Sequence, residues 1–202
     1  MNASKKTIVI GITGGVATGK STVANLLRKK FKYFTSADEI AHRIVEKGKP
    51  AYKKLVRAFG KGILAKNGSI NRKALAGVVF GDTKKRKLLQ KITHPKIIST
   101  MKKDISAFSK RSRIVLFEAP LLFEASLEGI ADIIIVVVSK KTNQLKRFMK
   151  KGYSKAETER RIKAQLPLTV KIQRADIVIY NNKNLIVLKK EVKKLGKFLK
   201  TL

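Results

Sequence analysis

The stretch TIVIGITGGVATGKSTVANLLRKK, residues 7–30, decides the fold of this 202-residue chain. Residues 7–12 are rich in Ile and predict a buried strand, whereas residues 20–30 have the apolar spacing of a helix. Between them GGVATGKS, residues 14–21, matches the pattern G-x-x-x-x-G-K-[ST]. A strand before and a helix after are the context that a phosphate-binding loop requires, so the sequence predicts a P-loop.

The chemistry of such a loop assigns roles to its residues. Glycines let consecutive backbone N–H groups turn toward an anion, and the N-terminal end of the following helix adds its positive dipole. We expect Lys20 to bridge the β- and γ-phosphates of ATP and the hydroxyl of Ser21 to be a ligand of Mg²⁺. Dinucleotide binding of the Rossmann type is disfavoured, because the pattern G-x-G-x-x-G is absent. The predicted nucleotide-binding residues of the loop are Gly15, Ala17, Thr18, Gly19, Lys20, Ser21 and Thr22.

The composition describes a globular chain with a large positive charge. Lys and Arg number 47 against 13 Asp and Glu, a formal charge of +34, while 44% of the residues are hydrophobic. There is no Cys, which excludes disulfides and thiolate metal sites. Because the basic residues are spread along the chain, we expect non-specific RNA binding at low salt and no specific nucleic-acid partner. The N-terminal apolar run is too short for a signal peptide or a membrane span, so we expect a cytoplasmic protein without a membrane partner.

Short apolar runs separated by helical patterns predict an α/β fold. These runs are continuous rather than alternating, which suits a parallel sheet covered by helices on both faces. The predicted strands are residues 7–12, 113–118, 132–139 and 176–181, with a weaker candidate at 32–36.

Residues 51–110 contain no strand-like run and predict a block of helices. A crossover in a parallel sheet needs only one helix, so the excess indicates an inserted helical subdomain. Asn71 and His94-Pro95 are predicted helix starts, since Pro is favoured in the first turn. The last helix is predicted to pack on the sheet rather than on a membrane. Its apolar face holds Leu188, Val192, Leu195, Phe198, Leu199 and Leu202.

A small chain with a P-loop, a helical insertion and a later basic segment suits a small-molecule kinase. Such an enzyme needs a carboxylate near the acceptor, which orients the attacking hydroxyl and receives its proton. In TSADEIAH, residues 35–42, Asp38 follows the weak strand, at the edge where parallel sheets bind ligands. Glu39 would point about 100° away around a helix that begins there, so Asp38 is the candidate base. His42 follows Asp38 by one helical turn and is predicted to share its face. A further acid, Glu118, ends the third predicted strand in a place like that of a Walker-B carboxylate.

A series of further motifs follows the P-loop in a fixed order. The whole series is GITGGVATGKSTVA (11–24), SADEIAH (36–42), AFGKGIL (58–64), NGSINRKAL (67–75), VVF (78–80), ITHP (92–95), EAPLLFE (118–124), QLKRFM (144–149), RRIKAQ (160–165) and ADIVIYNN (175–182). With this ordered set the chain resembles the dephospho-CoA kinase family over nearly its whole length.

The resemblance implies a three-layer P-loop kinase fold with a five-stranded parallel sheet, a helical insertion that binds the CoA part, and a lid. It implies one kinase domain over residues 1–202. The core would be residues 1–50, 111–150 and 172–202, the insertion 51–110 and the lid 151–171. The implied activity is Mg²⁺-dependent transfer of the γ-phosphate of ATP to the 3′-hydroxyl of the dephospho-CoA ribose, which completes coenzyme A synthesis. We expect a monomer whose partners are these two small molecules.

The resemblance also implies residue roles. The base of the family matches Asp38, which would act with Lys20 and Arg147 as the catalytic residues. On the side of ATP the matches are Arg147 and Arg161, from the lid region, and Asn181, near the adenine. On the acceptor side they are Asp38, His42, Arg72, His94, Pro120, Leu121, Leu122 and Glu124.

A few positions depart from the usual pattern of the family. Ser36 replaces the first Asp of an Asp-Ala-Asp sequence, so the base is kept while an acidic neighbour is lost. Ala17 stands where a third loop glycine is usual, and Glu118 where Asp is frequent. Lys150 and Lys151 occupy lid positions where Arg, the better bidentate phosphate ligand, is often found.

Two alternative functions stay open at this point. A nucleoside or nucleoside-monophosphate kinase of the same fold would use the same P-loop. An RNA-binding P-loop protein would account for the positive charge. A GTPase is disfavoured, because the guanine-reading segment N-K-x-D is absent.

Overall fold

The structure, a computed structural model, describes residues 6–79 and 82–202. Phe80, the last residue of the VVF motif, lies outside the described residues. The chain divides into two compact units. The first consists of residues 6–35 and 105–202 and holds the sheet, while the second consists of residues 36–104 and is mainly helical.

The first unit is built on a five-stranded sheet. Its strands are β1 (Ile8–Gly14), β2 (Phe34–Ser36), β3 (Ile114–Glu118), β4 (Ile133–Val138) and β5 (Ile177–Tyr180), and their order in the sheet is β2-β3-β1-β4-β5. β1 pairs in parallel with both β3 and β4, and β4 pairs in parallel with β5. All five predicted strands are confirmed, and the weak candidate forms the edge strand β2. Since the strands are parallel, the loops after β1, β3 and β4 leave the sheet at one edge, where such sheets bind ligands.

Nine α-helices occur in the described parts of the chain. They are α1 (Lys20–Arg28), α2 (Ala37–Ile44), α3 (Pro50–Phe59), α4 (Arg72–Val79), α5 (Thr83–Ser109), α6 (Lys141–Met149), α7 (Lys155–Lys163), α8 (Leu168–Gln173) and α9 (Leu185–Leu199). Over these residues, 6–79 and 82–202, no helix is both long and apolar enough to cross a bilayer.

The core of the first unit lies where α1 and α9 cover the sheet. It combines strand residues with α1 and α9 residues, and includes Ile10, Ile12, Leu116, Ile135, Val23, Leu27, Leu188, Val192 and Leu199. The prediction that the last helix packs on the sheet is confirmed, but Phe198 is 53% exposed. Phe198 precedes the buried Leu199 by one residue, which rotates its side chain by about 100° from the buried stripe.

The second unit has a small core of its own. Its buried members are Leu55 from α3, Leu75 and Val79 from α4, and Ile63 from the segment between these helices. Asn71 caps α4, because its Oδ1 accepts hydrogen bonds from the backbone N–H groups of Lys73 and Ala74, each at 3.1 Å. The predicted helix start at Asn71 is thereby confirmed.

The helix start predicted at His94-Pro95 is wrong, because Pro95 lies inside α5. The helix begins at Asp82–Thr83, where the Asp82 Oδ1 accepts a hydrogen bond from the Lys85 N–H at 3.0 Å. Pro has no N–H and therefore removes one helical hydrogen bond, which usually ends or kinks a helix. In α5, 27 residues long, the helix continues beyond that gap. The capping acid at residue 82 was therefore the better signal of the start than the proline.

Candidate active site

The P-loop connects β1 to α1 and turns through two residues in the left-handed region of the backbone. Gly19 has φ +94°, and Ala17, which carries a Cβ, has φ +53°. A Cβ on Gly19 would lie 2.1 Å from the Asn181 Nδ2, so both the backbone angle and the available space require glycine there. The same contact places Asn181 directly against the loop.

One carboxylate joins the two residues predicted to act on the phosphates and the metal. Lys20 is the first residue of α1, and its Nζ forms an ion pair with the Glu118 Oε1 at the end of β3. The Ser21 Oγ donates a hydrogen bond to the same Oε1 at 2.9 Å. Lys20 and Glu118 are buried, at 7% and 6% exposure. The register of the sheet explains the meeting, because Glu118 pairs with Ile12, just before the loop.

This arrangement fits a magnesium ion bound together with a nucleotide. The Ser21 hydroxyl and the Glu118 carboxylate are oxygen donors of the kind that Mg²⁺ prefers. Within the described ranges no group of three or more His, Cys, Asp or Glu residues could hold a metal by itself. A magnesium ion here would therefore take most of its ligands from phosphates and water, as Mg²⁺ usually does.

Arg147 of α6 makes a hydrogen-bond network behind the loop. Its Nη1 donates to the carbonyl oxygens of Ala17 at 3.3 Å and Thr18 at 3.1 Å, and its Nη2 donates to the Asn181 carbonyl at 2.9 Å. The Asn181 Nδ2 donates to the same Thr18 carbonyl at 2.8 Å. Burial lowers the pKa of Arg147 from its ordinary value. Two residues predicted separately, Arg147 and Asn181, thus act together on the P-loop backbone.

Two members of this network escaped sequence analysis. The Ser139 Oγ donates to the Asn181 carbonyl at 2.8 Å and lies 3.3 Å from the Arg147 Nη1. The Gln144 Nε2 donates to the Ser139 carbonyl at 2.8 Å. Both side chains are buried. Ser139 could have been found, because it follows β4 at the ligand-binding edge of the sheet, whereas no sequence signal separates Gln144 from a surface helix residue.

Arg161 of the predicted lid lies over two stacked aromatic rings, one from α6 and one from the lid. The rings of Phe148 and Tyr153 stack with centroids 4.2 Å apart. The Arg161 guanidinium lies 5.3 Å from the centroid of Phe148 and 4.7 Å from that of Tyr153. The pKa of Arg161 lies below its ordinary value, because the effect of burial outweighs those of Tyr153 and Glu157, which act to raise it. The two rings thus hold Arg161 in place, whereas its neighbour Arg160 is exposed.

The segment after β3, Pro120–Glu124, contains the predicted acceptor-side residues of the first unit. Leu122 is fully buried, and its Cδ1 lies 2.9 Å from the position that a Cβ on Gly11 would take. The Pro120 carbonyl accepts a hydrogen bond from the Thr13 Oγ1 at 3.4 Å. Leu121 is partly buried, and Glu124 forms an ion pair with Lys171 at 2.8 Å. Contacts within the protein thus hold most of this segment.

The second unit brings three other predicted residues together. Asp38 lies in the first turn of α2, one helical turn before His42. The His42 Nε2 is in hydrogen-bond contact with the Arg72 Nη1. Because a guanidinium can only donate, this contact requires neutral His42 with its proton on Nδ1. Burial and then Arg72 lower the pKa of His42, against the opposing effects of Asp38 and Glu39.

The remaining predicted residues have simpler surroundings. His94 is half-buried in α5, and that burial lowers its pKa. Thr22 is exposed in the first turn of α1, where its N–H donates to the Gly19 carbonyl at 3.0 Å. Ser36 caps α2, since its side chain accepts a hydrogen bond from the Glu39 N–H at 3.5 Å.

Comparison with known proteins shows the family to which the chain is similar. A family model described as dephospho-CoA kinase matches residues 8–186. A dephospho-CoA kinase of Bacillus cereus is 42% identical over 178 residues, which cover 87% of this chain and 89% of that protein. One of Carboxydothermus hydrogenoformans is 41% identical over 176 residues, which cover 86% of this chain and 85% of that protein.

Solved structures give the same result. The dephospho-CoA kinase of Campylobacter jejuni superposes with a TM-score of 0.70 and 28% identity, covering 95% of this chain and 96% of that one. The shikimate kinase of Acinetobacter baumannii shares the fold alone, with a TM-score of 0.53 and 14% identity over 98% of this chain and 96% of that one. With a family model that spans most of its length and relatives above 40% identity, the chain belongs to the dephospho-CoA kinase family.

Proposed function

We propose that this chain transfers the γ-phosphate of ATP to the 3′-hydroxyl of the dephospho-CoA ribose and so produces coenzyme A. The observation that carries the proposal is the group formed by Lys20, Ser21 and Glu118 in a chain of this family. This group places a cation, a hydroxyl and a carboxylate at the mouth of a phosphate-binding loop. Phosphoryl transfer uses groups of these kinds to bind the phosphates and Mg²⁺.

Lys20 and the P-loop backbone act on the donor. In our proposal the Lys20 Nζ leaves Glu118 when ATP binds and bridges the β- and γ-phosphates. Ser21, with Glu118 beside it, would hold Mg²⁺, an ion that neutralises charge on the phosphates. The side chains of Arg147 and Asn181 keep the loop in shape behind the nucleotide. Arg161 would reach the phosphates from the lid, residues 151–171.

Asp38 acts on the acceptor. The ribose oxygen forms a bond to the γ-phosphorus while the bond from that phosphorus to the β,γ-bridging oxygen breaks, and ADP leaves. The hydroxyl proton passes to the Asp38 carboxylate, which is exposed in the first turn of α2. Asp38 takes this role without the acidic neighbour that its family usually has at position 36.

The other acceptor-side residues bind rather than react. Arg72 and His94 supply a guanidinium and an imidazole from the helical region, in which residues 51–110 would bind the CoA part. The Pro120–Glu124 segment of the first unit would also bind the acceptor. We further propose that the enzyme acts in the cytoplasm as a monomer, with core boundaries at residues 1–50, 111–150 and 172–202.

An acceptor panel tests the substrate directly. ADP release is followed by a coupled assay with dephospho-CoA, adenosine, AMP, CMP and no acceptor, each with ATP and Mg²⁺. We expect turnover with dephospho-CoA and background rates with the others. Turnover of a nucleoside or nucleotide but not of dephospho-CoA would overturn the proposal in favour of another kinase of this fold.

A variant connects that activity with the P-loop. Lys20→Ala should lower both ATP affinity and turnover, the latter by about 10²-fold or more, as expected when one electrostatic contact to the transferring group is lost. Lys189→Ala, an exposed lysine of α9, is the control for loss of one positive charge and should behave as the wild type.

A further inference from the structure

Lys171 of α8 is a lysine with no exposed surface. It is 0% exposed and ranks in volume with the apolar side chains of the core. A buried ammonium group is unfavourable unless a partner compensates its charge. Lys171 therefore differs from the other lysines of the chain, which are mostly at the surface.

The partner of Lys171 is Glu124, which lies in the segment after β3. The Lys171 Nζ lies 2.8 Å from the Glu124 Oε1 and 3.5 Å from the Pro120 carbonyl oxygen. The same Glu124 oxygen accepts a hydrogen bond from the Leu166 N–H at 3.0 Å. One carboxylate oxygen thus joins the Pro120–Glu124 segment to α8 and to Leu166, two residues before that helix.

The charge balance of this pair depends on Lys171. The second oxygen of Glu124, Oε2, is buried and has no hydrogen-bond partner among the described residues. Without Lys171 the carboxylate would retain mainly the Leu166 N–H. The ion pair is therefore what allows a charged Glu124 at this place.

The beginning of α8 contacts the P-loop. The Leu168 Cδ2 lies 3.1 Å from the position that a Cβ on Gly15 would take. The Pro120 carbonyl, which Lys171 approaches, also accepts the Thr13 hydroxyl of β1. The short helix thus touches the P-loop through Leu168 and the acceptor-side segment through Lys171.

We propose that Lys171 and Glu124 are a positioning pair that fixes the Pro120–Glu124 segment relative to the P-loop, and so sets the affinity for the phosphate acceptor. The inference rests on the proposed function, which assigns that segment to dephospho-CoA. Glu124 would then act through Lys171 and the backbone rather than by touching the substrate. The contacts that hold the P-loop itself, from Arg147 and Asn181, do not involve this pair.

The test removes the pair without leaving a buried charge. Lys171→Met with Glu124→Gln is compared with each single variant, with Lys171→Arg, and with the wild type. The measurements are urea unfolding and the kcat and KM for each substrate. The control is Lys49→Met with Glu46→Gln, which removes an exposed ion pair of 3.9 Å outside the lid and the helix of Arg147.

We expect the double variant to be more stable than either single variant, because each single variant leaves the remaining residue charged without its partner. Its KM for dephospho-CoA should rise about tenfold, since a small displacement of a positioning wall has effects of this order or larger. Its KM for ATP should stay within about twofold, and Lys171→Arg should recover part of the acceptor affinity. The surface control should change neither KM.

Each other outcome has a definite meaning. An unchanged KM for dephospho-CoA in a folded double variant would overturn the inference and leave the pair a purely structural one. An equal rise in both KM values would also overturn it, because the pair would then support the P-loop. If the wild type did not phosphorylate dephospho-CoA at all, the proposed function would fail first, and the inference with it.

Discussion

The Arg147 Nη1 lies 3.1 Å from the Thr18 carbonyl oxygen, although 129 residues separate the two in sequence. The Asn181 side chain donates to the same oxygen. Across a trans peptide the carbonyl and the following N–H point in opposite directions. A Thr18 carbonyl held toward Arg147 therefore turns the Gly19 N–H away from it, as a loop that presents N–H groups to an anion requires.

Arg147→Lys should weaken ATP binding. A lysine cannot reach the Ala17, Thr18 and Asn181 carbonyls together, and a hydrogen bond to a charged group contributes about 1.5–3 kcal/mol. We expect the KM for ATP to rise about tenfold and the melting temperature of the nucleotide-free protein to fall. The exposed neighbour variant Arg160→Lys is the control. A fall in kcat alone, with unchanged stability, would instead place Arg147 at the transferred phosphate.

Ala17→Gly should stabilise the P-loop. Ala17 has φ +53°, a left-handed conformation that costs a residue with a Cβ about 1–2 kcal/mol. Removing that cost would stabilise the folded chain, but the greater flexibility of glycine in the unfolded chain offsets roughly 0.5–1 kcal/mol of the effect. Urea unfolding should therefore give equal or slightly higher stability for the variant. Ala58→Gly, at an exposed helical position in α3, should be less stable than the wild type, and a similar loss in Ala17→Gly would refute the expected strain.

Asp38→Asn should lower kcat by about 10²-fold or more and leave ATP affinity intact, because the variant keeps the shape of the side chain but cannot accept the hydroxyl proton. The measurement is steady-state turnover with calorimetric titration of ATP. Glu39→Gln is the matched control on the next residue of α2 and should retain most of the turnover. Near-normal kcat in Asp38→Asn, or an equal loss in the control, would assign the base elsewhere.

Acceptor affinity should depend on the protonation of His42. Its pKa in the folded chain lies below the ordinary value of 6.5, chiefly through burial and then through Arg72. As the pH falls, the unfolded chain therefore takes up this proton at a higher pH than the folded chain does. The contribution of His42 to the free energy of unfolding is thus fully present above about pH 6.5 and decreases below that pH. Protonation also ends the contact in which the His42 Nε2 accepts from Arg72.

The KM for dephospho-CoA of the wild type should accordingly rise as the pH falls below about 6.5. His42→Gln keeps an acceptor for Arg72 but does not titrate, so its KM should vary less with pH. His94→Gln serves as the control, since burial lowers the pKa of that residue as well. A pH profile that disappears in His94→Gln and persists in His42→Gln would contradict the assignment.

The strands and the phosphate loop were predictable because their signals are local. Continuous Ile and Val runs mark β1 and β4, and the P-loop spacing fixes Lys20 and Ser21. Glu118 was predicted to end the third strand in a Walker-B-like place, whereas its ion pair with Lys20 was found only in the structure.

Other features were not predictable because they depend on contacts distant in sequence. Nothing in the sequence distinguishes the buried Lys171 from the many exposed lysines, since its partner Glu124 lies 47 positions earlier. The helix start at His94-Pro95 was predicted wrongly for a related reason. The preference of proline for the first turn of a helix is a local rule and does not take account of the long helix α5 around it. The hydrogen bonds of Arg147 were also hidden, because they join α6 to the P-loop backbone.

The charge of +34 should produce RNA binding that salt removes. Affinity for a mixed-sequence single-stranded RNA, measured by fluorescence anisotropy, should fall steeply between about 50 and 200 mM salt, because binding of this kind is driven by counterion release. Affinity that depended on RNA sequence and survived physiological salt would support a separate RNA-binding function.

The cap at Ser36 bears on how the surroundings of Asp38 can change in evolution. A serine hydroxyl caps α2 through the Glu39 N–H, and an aspartate could accept that hydrogen bond equally well. Either residue therefore supplies the cap of this helix, but only an aspartate would add a negative charge, at a position that is 3% exposed. A substitution at this one position would thus change the electrostatic surroundings of Asp38 while the hydrogen bond that caps its helix is kept.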